Sequence, residues 1–215
     1  MLNVAVFVSG GGTNLQAILD QIADQRLRDV RIVGVLASRD GVFALERARL
    51  AGIPTAVVSR SRYPDMETYD QAMLDGLDRL SASPVDLIVL AGFLSLLGPE
   101  LVRRYAGRII NVHPALIPSF CGPGMYGIRP HEAAIARGVR ITGATVHVVD
   151  EAYDAGPIIL QKAVAVLQDD TPQTLQLRVM QEAEQVILPE AIRLFAENRI
   201  TINGRKVRIR EDEPS

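Results

Sequence analysis

The sequence predicts an α/β protein. The expected architecture is a Rossmann-like open sheet, parallel in its N-terminal half, with a mixed or antiparallel C-terminal extension and helices on both faces. Three observations predict it. The first half alternates continuous apolar runs with patterns of three- and four-residue spacing, the signatures of buried strands and amphipathic helices. Strands that are apolar without interruption belong to a parallel sheet covered on both sides. In the second half, the turn Asp154-Ala155-Gly156-Pro157 separates two strand-like runs, which suggests antiparallel pairing.

The elements follow in order. Val4 to Val8 is an apolar strand that ends at Ser9-Gly10-Gly11-Gly12. Leu15, Ile18, Leu19 and Ile22 then mark a helix. Ile32 to Ala37 is the second strand, and Phe43 to Ala51 a helix closed by Gly52 and Pro54. Thr55 to Val58 is a short strand. Asp65 to Leu80 is a helix with Tyr69, Met73, Leu77 and Leu80 on one face. Asp86 to Phe93 is a buried strand, Pro99 to Tyr105 a short helix with proline in its first turn, and Arg108 to His113 the fifth strand. Leu116 to Arg129 is a Pro/Gly-rich loop, too long for a plain connector. A helix at Pro130 to Arg137 precedes strands at Ile141 to Val149 and Ile158 to Val166. Thr171 to Phe195 is helical, with Pro189 kinking or restarting it. Asn203-Gly204 between Ile200 and Val207 signals a hairpin, and the tail from Glu211 to Ser215 is expected to be disordered. The chain reads as a single domain, 1–215. Within it, 1–110 forms a phosphate-binding half, 111–200 a catalytic half, and 200–215 a hairpin and tail.

Composition removes several function classes. The chain has 215 residues with 23 basic and 25 acidic side chains, for a net charge of −2. That balance gives no support to a nucleic-acid or membrane-surface binder. The single cysteine, Cys121, excludes a disulfide framework and a cysteine-based zinc site. The longest apolar stretch, Leu87 to Gly98, contains Ser95 and stops at Pro99, short of the ~18 residues of a membrane span. No basic segment precedes the first apolar run, so no signal peptide is read and a cytoplasmic protein is expected. The only lysines are Lys162 and Lys206. Neither sits in a glycine loop, which excludes a lysine-bearing P-loop.

Ser9-Gly10-Gly11-Gly12-Thr13-Asn14 joins the first strand to the first helix. A strand–loop–helix of this kind aims free N–H groups and the positive end of a helix dipole at one point, which suits a phosphate. The competing reading is a tight turn with Thr13 as helix cap. A dinucleotide fingerprint is disfavoured, because Leu15 stands where its third glycine belongs. A mononucleotide or ribose-phosphate site fits better.

Asn111-Val112-His113-Pro114 closes the fifth strand. Alternation along a strand puts Asn111 and His113 on one side, at the carboxyl edge where open α/β folds bind ligands. Asn offers an oxyanion donor and His a group able to move a proton near pH 7. His131 either approaches this site or caps its helix, and His147 reads as a structural mid-strand residue. The three histidines show no metal-ligand spacing. Asp154 in its turn is ordinarily a turn former. Packed against the strand end, its charge would raise the His113 pKa and orient the ring.

Ser9-Gly10-Gly11-Gly12-Thr13-Asn14, Leu90-Ala91-Gly92-Phe93, Asn111-Val112-His113-Pro114, Thr142-Gly143-Ala144-Thr145-Val146-His147 and Asp154-Ala155-Gly156-Pro157 occur in the order and spacing of a known family. Over nearly its whole length the chain resembles the folate-dependent formyltransferases, and among them the glycinamide ribonucleotide transformylases. The resemblance implies transfer of a formyl group from the co-substrate 10-formyltetrahydrofolate to the glycinamide amine of 5'-phosphoribosylglycinamide, in purine biosynthesis, without a metal. It implies catalytic roles for His113 (proton donor), Asn111 (oxyanion donor) and Asp154 (tuning His113). Gly12, Thr13 and Asn14 would hold the ribose phosphate, and Glu184 the ribose hydroxyls. Folate would lie against Met66, Leu90, Leu94, Ser95, Leu96, Leu97, Asn111 and Val149. Met66 and Ser95 stand where members can carry arginine near the folate tail, so Arg60 or Arg62 is expected to take over there. The implied partners are these small molecules, with no nucleic acid or membrane, in a monomer or homodimer. Another folate-dependent formyltransferase or hydrolase, a nicotinamide oxidoreductase and a non-catalytic ribonucleotide binder are the alternatives.

Overall fold

The structure is a computed structural model that describes residues 1–81, 83–151 and 153–211. The expected disorder from Asp212 to Ser215 lies outside the described residues. Five strands, β1 (Leu2–Val8), β2 (Val30–Ala37), β3 (Thr55–Val57), β4 (Leu87–Leu90) and β5 (Ile109–His113), run parallel. Then β6 (Ile141–Val148) pairs antiparallel to β5, and β7 (Ile158–Ala165) antiparallel to β6. The sheet order is β3-β2-β1-β4-β5-β6-β7, the mixed open sheet that the sequence predicts. The chain progresses outward from β1 to β3, then returns to lay β4 on the other side of β1. The crevice between the β1 and β4 carboxyl ends is therefore the topological switch point, where such sheets bind ligands.

Helices cover both faces. Against one face pack α1 (Thr13–Ala23), α2 (Phe43–Leu50), α5 (Arg129–Arg137), α6 (Pro172–Val179) and α7 (Gln185–Ala196), burying Leu15, Ile18, Ala44, Leu175 and Leu188. Against the other pack α3 (Met66–Leu80) and α4 (Pro99–Arg104), with Tyr69, Met73, Leu77 and Leu101 inside. Phe7 and Ile18 are fully buried. Truncating such a side chain to alanine costs about 2–5 kcal/mol. Asp65 caps α3, its carboxylate accepting the Thr68 N–H at 2.8 Å. A separate hairpin, β8 (Ile200–Asn203) and β9 (Lys206–Ile209), turns at Gly204. It lays Ile200, Ile202 and Val207 against the first core.

Two expected elements are redrawn. The strand read as Asp86 to Phe93 is confined to Leu87–Leu90, because the chain leaves the sheet and Gly92 adopts a left-handed φ of 71°. The long helix is divided at a π turn, Met180–Glu184, in which the Gln185 N–H reaches back to the Met180 carbonyl. Pro189 sits inside α7 downstream of that turn and does not restart the helix. Among the described residues no helix is long and apolar enough to cross a membrane.

Candidate active site

The crevice is a cleft of about 720 Å³, within the usual range for a small-molecule site. The glycine loop forms one end. Gly12 has a φ of 72° and precedes α1 without a side-chain cap, so Thr13 is the first helical residue and not the cap. A Cβ on Gly12 would stand 2.6 Å from the Ala44 Cβ. Glycine is thus required both by the left-handed backbone and by the close approach of α2. The loop is tied to the end of β4 through Ser9, whose N–H donates to the Gly92 carbonyl at 3.1 Å and whose hydroxyl accepts the Leu94 N–H at 2.8 Å. Across the cleft, the π turn presents Met180 and Glu184. Thr13 Oγ1 donates to Met180 Sδ at 3.1 Å, and Asn14 Nδ2 to Glu184 Oε2 at 2.7 Å. Burial raises the Glu184 carboxyl above its usual range, with the Asn14 bond opposing.

The other end carries the ionisable groups. Asn111 and His113 project from one side of β5, and antiparallel pairing sets His147 opposite Asn111 and Thr145 opposite His113. Asn111 Nδ2 lies 3.2 Å from His147 Nε2, and His147 Nδ1 lies 3.0 Å from the Val148 carbonyl. A carbonyl only accepts, so Nδ1 carries the hydrogen. In the neutral ring Nε2 then accepts from Asn111, which leaves the second amide hydrogen of Asn111 for the cleft. Thr145 anchors the chain leaving β5: its hydroxyl donates to the Ala115 carbonyl at 2.7 Å and accepts the Ile117 N–H at 3.1 Å.

Asp154 closes this end. Its Oδ2 is 3.6 Å from His113 Nδ1, its Oδ1 is 3.6 Å from His147 Nε2, and Oδ2 accepts the Gly122 N–H at 2.9 Å. The turn can bring it there because Gly156 packs onto β6. A Cβ on Gly156 would lie 1.8 Å from the Val148 carbonyl oxygen. Burial works to raise Asp154. The His147 ring, the Gly122 N–H and the charges that His113 and His147 can carry outweigh it, and hold the carboxyl below its usual range. Asp154 pulls the His113 pKa upward, as the sequence leads one to expect, yet the net shift is downward. Burial pushes it down and prevails over the upward pull of Asp154 and of the Phe120 carbonyl, with His147 adding to the fall. His113 Nε2 donates to that carbonyl at 2.9 Å. His131 reaches the same end of the cleft. Burial pushes its pKa down to about 4, with His113 adding to the effect.

Between the ends runs an apolar wall that includes Leu90, Leu94, Leu96, Leu97 and Val149, with Ser95 among them. Gly12, Thr13, Asn14, Glu184, Asn111, His113 and Asp154 line the same cleft. Met66 does not: it opens α3 and packs on the second core. Arg62 pairs with Asp40, while Arg60 donates to the Tyr63 carbonyl at 2.6 Å and lies over the Tyr69 ring. Neither lines the cleft. His147, read from sequence as structural, is part of the cluster. The signal was present: Thr145 and His147 mirror the spacing of Asn111 and His113, and antiparallel pairing in this register puts both pairs on one face.

Residues 2–192 match the family model described as Formyl transferase. The chain belongs to the formyl transferase family. This formyl transferase is 36% identical to the phosphoribosylglycinamide formyltransferase of Escherichia coli (strain K12), over 94% of this chain and 91% of that protein. It is 40% identical to the trifunctional purine biosynthetic protein adenosine-3 of Bos taurus, over 97% of this chain but only 20% of that protein. The chain thus spans between 14% and 20% of the trifunctional relatives that it matches. The crystal structure of glycinamide ribonucleotide transformylase 1 from Symbiobacterium toebii superposes with a TM-score of 0.90 at 41% identity, covering 98% of this chain and 95% of that one. A formyltetrahydrofolate deformylase from Pseudomonas syringae pv. tomato shares the fold at 27% identity, with a TM-score of 0.85 over 98% of this chain and 66% of that one.

Proposed function

We propose that this formyl transferase moves the formyl group of 10-formyltetrahydrofolate to the glycinamide amine of 5'-phosphoribosylglycinamide, giving the N-formyl product and tetrahydrofolate. One observation carries the reading. A single cleft joins a glycine loop suited to phosphate, at one end, to the Asn111, His113 and Asp154 cluster at the other. A substrate that carries a phosphate and, apart from it, a reactive amine suits a cleft that holds both groups. The apolar wall from Leu90 to Leu97 is chemically suited to a flat pterin, and the carbonyls and N–H groups of that segment to its polar edge.

The residues then divide the work. The amine lone pair attacks the formyl carbon, and the carbonyl electrons move onto oxygen. The free amide hydrogen of Asn111 donates to that oxyanion. His113, neutral at rest, can turn its Nε2–H from the Phe120 carbonyl to the same oxygen. Asp154, held ionised, compensates the imidazolium that forms when Nδ1 takes a proton, and then holds the ring through that Nδ1–H. As the bond from formyl carbon to folate nitrogen breaks, the amine proton ends on that nitrogen. Glu184 and Asn14 face the ribose, and Gly12 and Thr13 the phosphate.

The test is direct. Purified protein with both substrates should release tetrahydrofolate in proportion to formylated ribonucleotide. Release of formate at the same rate without ribonucleotide would replace transfer by hydrolysis, the activity named for the Pseudomonas syringae relative. No reaction with either acceptor would end the catalytic reading.

A further inference from the structure

The glycine loop is polarised by its neighbours. Each carbonyl from Ser9 to Gly12 is engaged from outside the cleft. Ser9 O accepts from Arg39 Nε at 2.8 Å, Gly10 O from the Ala44 N–H at 3.2 Å, Gly11 O from Arg47 Nε at 2.9 Å, and Gly12 O from the Gln16 N–H at 2.9 Å. The N–H groups of Gly10, Gly11 and Gly12 meet no protein acceptor among the described residues. A phosphate site needs this partition, since a carbonyl turned inward would repel the anion.

Three of the four carbonyls are held by backbone groups or by a side chain at the rim of the loop. Gly11 is the exposed apex, free of any contact that a Cβ would meet, and its orientation depends on Arg47. That guanidinium is itself fixed. Nη1 donates to Gln16 Oε1 on α1 at 2.8 Å, and the group lies 4.8 Å from the centre of the Phe43 ring. Arg47 therefore ties α2 to α1 across the loop, with one nitrogen on each side.

We propose that Arg47 is a positioning residue for phosphate, a role that rests on the ribonucleotide reading above. It pins the Gly11 carbonyl outward and so sets the neighbouring N–H groups toward the cleft before the ligand arrives. The ordering of the loop is then made in folding and not at binding. The planar fork is essential to this role: a lysine keeps the charge but cannot hold the Gly11 carbonyl and Gln16 Oε1 in the same fixed geometry.

The experiment compares wild type, Arg47→Ala and Arg47→Lys. Ribose 5-phosphate binding is measured by calorimetry, and KM for each substrate in turnover. In Arg47→Ala, ribose 5-phosphate affinity should fall and ribonucleotide KM rise by about tenfold, the effect expected of lost preorganisation. KM for formyl folate should move far less. Arg47→Lys should stay within about threefold of the alanine variant, because charge without the fork does not restore the loop. Wild-type behaviour in Arg47→Lys would show that charge alone acts, and would overturn the proposal. So would an equal rise in both KM values with a lowered Tm, the mark of a merely structural residue. Wild-type protein that binds ribose 5-phosphate through Arg47 but formylates nothing would remove the proposed function and leave this inference standing.

Discussion

Asp154 Oδ2 stands 3.6 Å from His113 Nδ1, although α5, β6 and a long loop separate the two residues in the chain. The distance exceeds a hydrogen bond, and the resting ring, with its hydrogen on Nε2, turns a bare Nδ1 to the carboxylate, so the contact is unbonded at rest. It becomes a hydrogen-bonded ion pair only when His113 is protonated. His113→Ala and Asp154→Asn should each lower kcat by at least ~10²-fold. Asn111→Ala should do the same, since an oxyanion donor contributes about 3 kcal/mol. Binding of both substrates should survive. Near-normal turnover in His113→Ala would remove it from the mechanism.

The glycine loop permits a cleaner test than Gly12 offers. Gly12→Val forces a side chain onto Ala44 and into a left-handed backbone, so it should lower Tm as well as phosphate affinity. Gly11 has open space around it. Gly11→Val should therefore leave Tm near wild type, weaken the ribonucleotide and spare formyl folate. Equal weakening of both ligands would show that the loop does not serve the ribonucleotide alone.

His147 should act through Asn111. His147→Ala removes the acceptor that fixes the amide at 3.2 Å and should lower kcat by roughly 10-fold, less than loss of Asn111 itself. Glutamine at 147 can offer a comparable acceptor and should recover part of the rate. If His147→Ala and His147→Gln both turn over normally, the contact is structural only.

His131 is 1% exposed, and its pKa is about 4 in the folded protein against an ordinary 6.5. Between those values the unfolded chain takes up a proton that the folded one refuses. Its contribution is nil above pH 6.5, where both states are neutral, and turns destabilising as pH falls toward 4, by about 3 kcal/mol in all. Thermal melts at pH 7 and pH 4.5 should show a larger acid loss for wild type than for His131→Gln. An identical loss in both would mean that His131 does not resist protonation.

Much of this molecule was legible in the chain. Continuous apolar runs such as Val4 to Val8 and Leu87 to Leu90 suit only strands covered on both faces, and these determined the parallel half. The Asp154-Ala155-Gly156-Pro157 turn determined the antiparallel pairing of β6 and β7. Period-two alternation placed Asn111 and His113 on one side of a strand end. These are local properties, set by backbone geometry within a few residues. The division of the long helix at Met180–Glu184 was not legible, because a π turn is chosen by packing, and Pro189 lies downstream of it inside α7.

What the tertiary structure alone decided depends on distance between remote segments. Strand register put His147 beside Asn111: the matched spacing gives the two pairs a common face, but only the register sets which residues meet. The turn at Gly156 brought Asp154 to His113. Burial then set the sign of the His113 shift, since desolvation depends on how much surrounding chain excludes water. The crossover that laid β4 next to β1 placed the glycine loop and the Asn111, His113 and Asp154 cluster along one cleft. Arg47 became the clasp on Gly11 only because α2 folds against the loop. Sequence sets which side chains a segment can offer and to which face. Packing sets which of them meet, and at what dielectric, and the chemistry of the site follows from that meeting.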